Sequence, residues 1–146
     1  MDAQYQFIGE DHLFTLLSTY IHESQKLDAS VIDGFALNSA NTLKTFKVTG
    51  EYYYERTIGG SLGFFNITGS TDPLLYAQAV VTGSLTNNPG SNGEIFEVNY
   101  LPWLNTKFQL QYTRYGKFNG ASTNYDGAGR NASDNDTIYL LGWVNF

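Results

Sequence analysis

Residues 106–118 read TKFQLQYTRYGKF, and apolar and polar side chains alternate along most of this stretch. Phe108, Leu110 and Tyr112 occupy every second position, and the residues between them are Gln109 and Gln111. A repeat of two is the side-chain period of a β-strand, whereas an α-helix repeats every 3.6 residues. The stretch therefore predicts a strand with one apolar face and one polar face.

The same alternation divides the whole chain into predicted strands. Eleven Tyr, ten Phe and 15 Gly favour strands and turns over helices. The connections alternate between short (9–11, 56–57, 102–105) and long (28–41, 71–93, 119–136), which is typical of an up-and-down antiparallel sheet. We predict a single all-β domain over residues 1–146. Its seven strands are residues 3–8, 12–27, 42–55, 58–70, 94–101, 106–118 and 137–146.

The composition excludes several classes of function. Eight Lys and Arg stand against 14 Asp and Glu, and a net charge of −6 argues against binding nucleic acid through its phosphates. The chain has no Cys, which excludes disulfides, thiolate metal sites and covalently attached haem. We therefore expect no cofactor. No Ser/His/Asp set or persuasive acid pair emerges either, so the sequence indicates no enzyme, although a barrel with an interior active site stays an alternative.

Short turns at one end and long polar loops at the other are typical of bacterial outer-membrane β-barrels. The apolar face is also rich in Tyr toward the strand ends, where a ring can lie in lipid while its hydroxyl reaches the headgroups. We predict a transmembrane barrel in the outer membrane, with a soluble β-barrel that binds a small ligand as an alternative. The predicted lipid-facing and girdle residues are Phe14, Tyr20, Phe46, Tyr52, Tyr54, Phe64, Phe96, Tyr100, Phe108 and Tyr112.

The polar face is the predicted lumen. Its charges either select solutes in a passive, porin-like channel or pair with one another and brace the interior of a structural barrel. Lys44 and Arg114 instead have outward parity near the long-loop ends, where lipopolysaccharide phosphates are possible contacts and simple snorkelling is the alternative. The predicted lumen residues are Glu23, Lys47, Glu51, Glu55, Glu97, Lys107, Gln109, Gln111 and Lys117.

The last predicted strand carries an apolar row that ends on an aromatic residue. This row resembles the C-terminal signal by which the barrel-assembly machinery recognises outer-membrane proteins. An ordinary last strand is the alternative. The row consists of Ile138, Leu140, Gly142, Val144 and Phe146.

A family resemblance is carried by five segments within residues 99–146, namely 101–107 (LPWLNTK), 111–113 (QYT), 117–122 (KFNGAS), 124–127 (NYDG) and 129–137 (GRNASDNDT). With these segments the whole chain resembles the C-terminal part of a family of proteobacterial outer-membrane β-barrel proteins that often carry the label "cytochrome c". The resemblance implies an outer-membrane barrel. Because the chain has no haem-attachment Cys, the label implies no electron carrier here. A barrel that sheathes a separate multihaem cytochrome stays an alternative.

The resemblance also implies a signal peptide and N-terminal strands that the sequence does not show. Bacterial single-chain barrels have an even number of strands, so seven strands suggest the C-terminal part of a larger barrel. Residues 75–82 are an alternative source of an eighth strand. The loop at 124–136 predicts a polar surface segment, and Ca²⁺ ligation by Asp126, Asp134 and Asp136 is the less favoured interpretation.

Overall fold

A computed structural model describes residues 1–145 as one antiparallel sheet of seven strands. Each strand pairs with its neighbours in sequence, and the order across the sheet is β1 to β7. The predicted all-β class and the antiparallel pairing are therefore confirmed. The strands are β1 (Asp2–Ile8), β2 (His12–Lys26), β3 (Ala40–Tyr54), β4 (Ile58–Gly69), β5 (Ser91–Trp103), β6 (Thr106–Lys117) and β7 (Thr137–Val144).

Helical structure is confined to two short pieces in the long loops. These are α1 (Asp28–Ile32) and a single 3-10 turn at Ala132–Asn135. Over residues 1–145, no helix reaches the length and apolarity that a bilayer crossing needs.

The sheet is open at both sides. Among the described residues, β1 pairs only with β2 and β7 pairs only with β6. Closure into a barrel is therefore not a property of residues 1–145 by themselves.

Two segments differ from the sequence prediction. β5 runs through Pro102 to Trp103, because the register shifts there and a bulge accommodates a residue that has no N–H to donate. Residues 75–82 form turns and no strand, so the alternative of an eighth strand at this place is wrong. The reason is Asp72, whose side chain accepts the backbone N–H groups of Leu74 and Leu75 and starts a turn.

The two faces of the sheet have opposite character and opposite exposure. On β5, Val98 is 62% exposed, whereas the adjacent Asn99 is 2% exposed. On β6, Leu110 is 50% exposed and Thr113 is 7% exposed. We call the side with Val98 and Leu110 the apolar face and the side with Asn99 and Thr113 the polar face. Across β3 to β6 the polar face is the less exposed one, which reverses the arrangement of a sheet that packs its apolar face into a core. On β7 the same face carries exposed apolar side chains such as Leu141, which is 52% exposed.

Most fully buried side chains lie in the long loops or at their borders. The side chains with at most 2% of their surface exposed include Tyr125, Asp72, Asp126, Asn41 and Ser84. The three loops (residues 27–39, 70–90 and 118–136) all leave the sheet at the same end, since the strands are antiparallel neighbours. We call these loops together the loop cap. The packed interior of this protein is therefore at one rim of the sheet.

Candidate functional site

The centre of the polar face is a row of polar side chains that crosses the sheet. The strand register places Thr15 opposite Glu51, Glu51 opposite Ser61, and Ser61 opposite Glu97. Gln111 on β6 continues the row beside Glu97. Because side chains alternate along every strand, this register brings polar residues of five strands to one line.

A groove of about 120 Å³ lies along this row. Gly63 contributes to the depression because it has no side chain between Thr49 and Ile95, its cross-strand neighbours. Within the groove the Ser61 hydroxyl donates a hydrogen bond to Glu97 Oε2 at 3.0 Å. The lining residues are Leu17, Lys47, Thr49, Glu51, Ser61, Gly63, Ile95 and Glu97.

The charges of the groove are two carboxylates and one ammonium. Glu51 and Glu97 lie one β-strand apart, on either side of Ser61, and Lys47 lies four residues before Glu51 on β3. Over residues 1–145 the one ion pair joins Arg114 to Glu94 on the apolar face, so none of the three groove charges is paired within 4 Å. The groove is therefore acidic overall and open to a mobile cation.

Polar side chains continue from the groove along β6. Gln109 Nε2 donates to Gln111 Oε1 at 3.5 Å, and Gln111 Nε2 donates to Thr113 Oγ1 at 3.2 Å. Asn99 lies opposite Gln109, and its Oδ1 is buried without a hydrogen-bond partner among the described residues. The polar face therefore presents amide and hydroxyl groups as well as charges.

The remaining predicted lumen residues lie outside the groove. Glu23 is exposed near the end of β2, where Gln25 Nε2 donates to it at 2.9 Å. Glu55 lies in the β3–β4 turn with a left-handed backbone (φ 48°). Lys107 lies opposite Trp143 near the short-turn end, and Lys117 follows a β-bulge at the loop end of β6. These four charges lie toward the two rims.

All ten predicted girdle residues lie on the apolar face with exposed side chains. Two of their hydroxyls bond polar groups at opposite ends of the strands. Tyr52 Oη is 2.8 Å from His12 Nδ1 toward the short turns, and Tyr112 Oη donates to Asp136 Oδ2 at 2.8 Å beside the loop cap. These rings thus combine an exposed apolar body with a polar end.

The predicted assembly row is visible over most of its length. Ile138, Leu140 and Val144 are 71%, 82% and 56% exposed, and they share one side of the edge strand β7 with Gly142. Phe146 lies outside the described residues.

Two carboxylates hold the loop cap together. Asp72 accepts hydrogen bonds from the backbone N–H groups of Leu37, Asn38, Leu74 and Leu75. Burial by itself would raise the pKa of Asp72, but these donors together outweigh it and hold the pKa well below its usual range. The sequence analysis did not single out Asp72, although an Asp before a Pro in a polar loop is a recognisable turn signal.

The second carboxylate is Asp126, which accepts backbone N–H groups of Val81, Ala128 and Arg130. The bond from Val81 is the main cause that lowers the pKa of Asp126. Asp134 accepts the backbone N–H of Asn131.

Over residues 1–145, no three His, Asp or Glu side chains come together as a metal-binding group. Asp126 and Asp134 act as hydrogen-bond acceptors for backbone amides in the loop cap, and so does Asp136, which accepts the N–H of Tyr115. The geometry therefore assigns these carboxylates a role in loop structure.

The sequence and structure were compared with family models, curated proteins and solved structures, and no match was found. The two faces of the sheet and the loop cap are therefore the features from which a function is inferred.

Proposed function

We propose that this sheet forms the wall of an outer-membrane β-barrel and that its polar face lines a water-filled passive channel. The observation that carries the proposal is the reversed polarity of β3 to β6, whose apolar face is more exposed than their polar face. Each exposed apolar side chain costs about 25 cal/mol per Å² of its surface in water. Hydrocarbon removes that cost, because the apolar face then contacts acyl chains.

The length of the apolar band supports this environment. Along the apolar face of β3, the band runs from Phe46 to Tyr54, which is nine residues. A tilted strand needs about 9–11 residues to cross a bilayer. Tyr52 and Tyr54 at one end and Tyr20 beside Phe46 at the other place aromatic rings at both borders of the band.

The open sides of the sheet add a requirement. Hydrocarbon offers no hydrogen-bond partner to the unpaired backbone groups of β1 and β7. We propose that further strands pair with β1 and β7 and complete the barrel. The resemblance carried by residues 99–146 to outer-membrane barrel proteins supports the proposal that further strands complete a barrel. The exposed apolar row on β7 fits recognition by the barrel-assembly machinery.

The groove charges give the channel a direction of selectivity. Two unpaired carboxylates, Glu51 and Glu97, against one ammonium, Lys47, favour cations over anions at this depth. In the groove the Ser61 hydroxyl donates to the Glu97 carboxylate, and no His lies among the lining residues as far as residues 1–145 describe them. We propose passive transport through this channel.

Site-directed labelling tests the proposal directly, and residues 1–146 contain no native Cys that would compete with an introduced one on this sheet. Leu110→Cys and Gln111→Cys place a spin label on adjacent residues of β6 that face opposite sides. In vesicles that contain the full-length gene product, we expect the label at position 110 to be relaxed mainly by lipid-soluble oxygen. The label at position 111 should respond mainly to a water-soluble nickel chelate.

A second pair on β4, Leu62→Cys and Ser61→Cys, serves as an independent repeat across the same boundary. If the nickel chelate reached positions 62 and 110 as readily as positions 61 and 111, the assignment of the apolar face to lipid would be ruled out. Low access of both reagents to positions 62 and 110 would indicate a shared apolar interior, as in a soluble protein.

A further inference from the structure

The apolar band ends abruptly at the long-loop end of β2 and β3. Tyr20 and Phe46 are its last cross-strand pair on the outward side. The next outward pair is His22 and Lys44, which lie directly opposite each other, and Thr68 follows Lys44 on β4. All three of these side chains are exposed. We call His22, Lys44 and Thr68 the donor row.

The donor row contains basic groups in a protein that is acidic overall. The chain carries a net charge of −6, yet no carboxylate faces this row among the described residues of the three strands. Glu23 projects from the opposite face of β2 and accepts a hydrogen bond from Gln25. His22 and Lys44 lie directly opposite each other in the antiparallel pair, so both side chains can approach one anion.

We infer that the donor row binds the phosphate group of a lipid headgroup, and this inference rests on the proposed membrane function. An imidazole N–H, an ammonium group and a hydroxyl are all hydrogen-bond donors, and a phosphate monoester supplies several acceptor oxygens. The row directly follows the last aromatic pair of the apolar band. In a membrane this is the level at which headgroup phosphates lie.

Arg114, the other basic residue predicted to meet lipopolysaccharide, is less suited to this role. Its guanidinium lies 3.9 Å from Glu94 Oε2 on the same face, so its charge is already partly neutralised. Lys44 has no such partner within residues 1–145. The structure thus places the phosphate site on β2–β4 and away from β5 and β6.

The test uses the full-length gene product in phosphatidylcholine vesicles with a small fraction of phosphatidic acid, whose headgroup is a phosphate monoester. Native mass spectrometry measures how much phosphatidic acid the protein retains relative to phosphatidylcholine. Lys44→Gln should lower the retained fraction about fivefold, the factor expected when one basic side chain near an anionic surface is lost. Lys47→Gln is the matched control, because Lys47 lies on the same strand with opposite parity and lines the groove.

Each outcome decides between explanations. If the Lys44→Gln protein retained as much phosphatidic acid as the unsubstituted protein, the assignment of the phosphate to the donor row would be overturned. A loss of retained phosphatidic acid with Lys47→Gln equal to the loss with Lys44→Gln would overturn it as well. Displacement of the lipid by millimolar inorganic phosphate would show that free phosphate is the ligand and would overturn the lipid source. Failure of the unsubstituted protein to enter vesicles of phosphatidylcholine alone would instead overturn the proposed membrane function, and this inference with it.

Discussion

Asp72 in the β4–β5 loop accepts a hydrogen bond from the backbone N–H of Asn38 in the β2–β3 loop, with Oδ2 3.0 Å from the nitrogen. These two residues are 34 positions apart in the chain. On its other side the β4–β5 loop contacts residues 118–136, where Leu85 N donates to the carbonyl of Tyr125 at 2.6 Å. The middle loop therefore links the other two.

Asp72→Asn should loosen this link. The substitution replaces one acceptor oxygen with an NH₂ group that faces backbone donors, and it removes the charge that strengthens the remaining bonds. We expect the opening free energy of the loop cap to fall by about 3 kcal/mol. Hydrogen exchange of the Leu37 and Leu74 amides measures the change. Asp28→Asn in the exposed helix α1 is the control, and an equal effect there would contradict the role given to Asp72.

The loop cap should also loosen in acid. The pKa values of Asp72 and Asp126 are lower in the folded protein than in the unfolded chain, so their stabilisation is fully present well above the unfolded value of about 3.9. It is lost as the pH falls below that value toward the folded pKa values. Hydrogen exchange of the Leu37 and Val81 amides, followed by NMR between pH 6 and pH 2, should report the loss as a falling free energy of opening.

The Asp72→Asn protein provides the internal control for this titration. In that variant the acid transition should disappear at Leu37 and persist at Val81, whose partner is Asp126. A free energy of loop-cap opening that stays constant from pH 6 to pH 2 would contradict the role of the two carboxylates.

Arginine substitutions on adjacent residues of β6 should differ sharply in a bilayer. Leu110→Arg places a charge on the exposed apolar face, and we expect a loss of about 2–4 kcal/mol when that face contacts hydrocarbon. Gln111→Arg places the same charge on the polar face, where we expect little change. Denaturant titration in vesicles measures both. Similar unfolding free energies for the two variants would argue for water on both faces.

Glycine substitutions should show how closely β5 and β6 approach. A Cβ at Gly93 would collide with the backbone carbonyl oxygen of Arg114, next to the β-bulge, so Gly93→Ala should cost about 1–3 kcal/mol. At Gly50 the nearest such contact is the Phe14 ring at 4.0 Å. Gly50→Ala should therefore be neutral or stabilise the sheet by about 0.5 kcal/mol. Equal effects in a chemical denaturation experiment would contradict this difference.

The groove carboxylates should control ion selectivity. Replacing Glu51 and Glu97 together by Gln leaves Lys47 as the groove charge, so the preference should shift from cations toward anions. Reversal potentials in a planar bilayer under a salt gradient measure the shift. Glu10→Gln, in the β1–β2 turn, is the control. An unchanged reversal potential in the double variant would remove these residues from the ion path.

The sheet was predictable from the sequence because alternation is a local signal. In β3 and β6, apolar and polar side chains alternate along consecutive residues, and the structure has strands at both places. The short turn between β3 and β4 sets the register of Glu51 and Ser61. The pairing of Ser61 with Glu97 was not predictable from a turn, because residues 70–90 separate β4 from β5. The extension of β5 through Pro102 was not predictable, because a bulge that tolerates Pro depends on the partner strand.

The loop cap was not predictable in the same way. Its bonds join residues such as Asp126 and Val81, which are 45 positions apart and share no periodic pattern. Asp126 and Asp136 were candidate Ca²⁺ ligands because calcium-binding loops also contain carboxylates together with Gly and Asn. Backbone N–H groups are as good partners for a carboxylate as Ca²⁺ is. Only the three-dimensional path of the chain shows which donors lie within hydrogen-bond distance.

The linked loops also define how other molecules would recognise this rim. Its surface is assembled from three segments that are remote in the chain, held in one shape by Asp72 and Asp126. An antibody selected on the folded protein would therefore contact a discontinuous epitope. Synthetic peptides that copy single loops would not reproduce it.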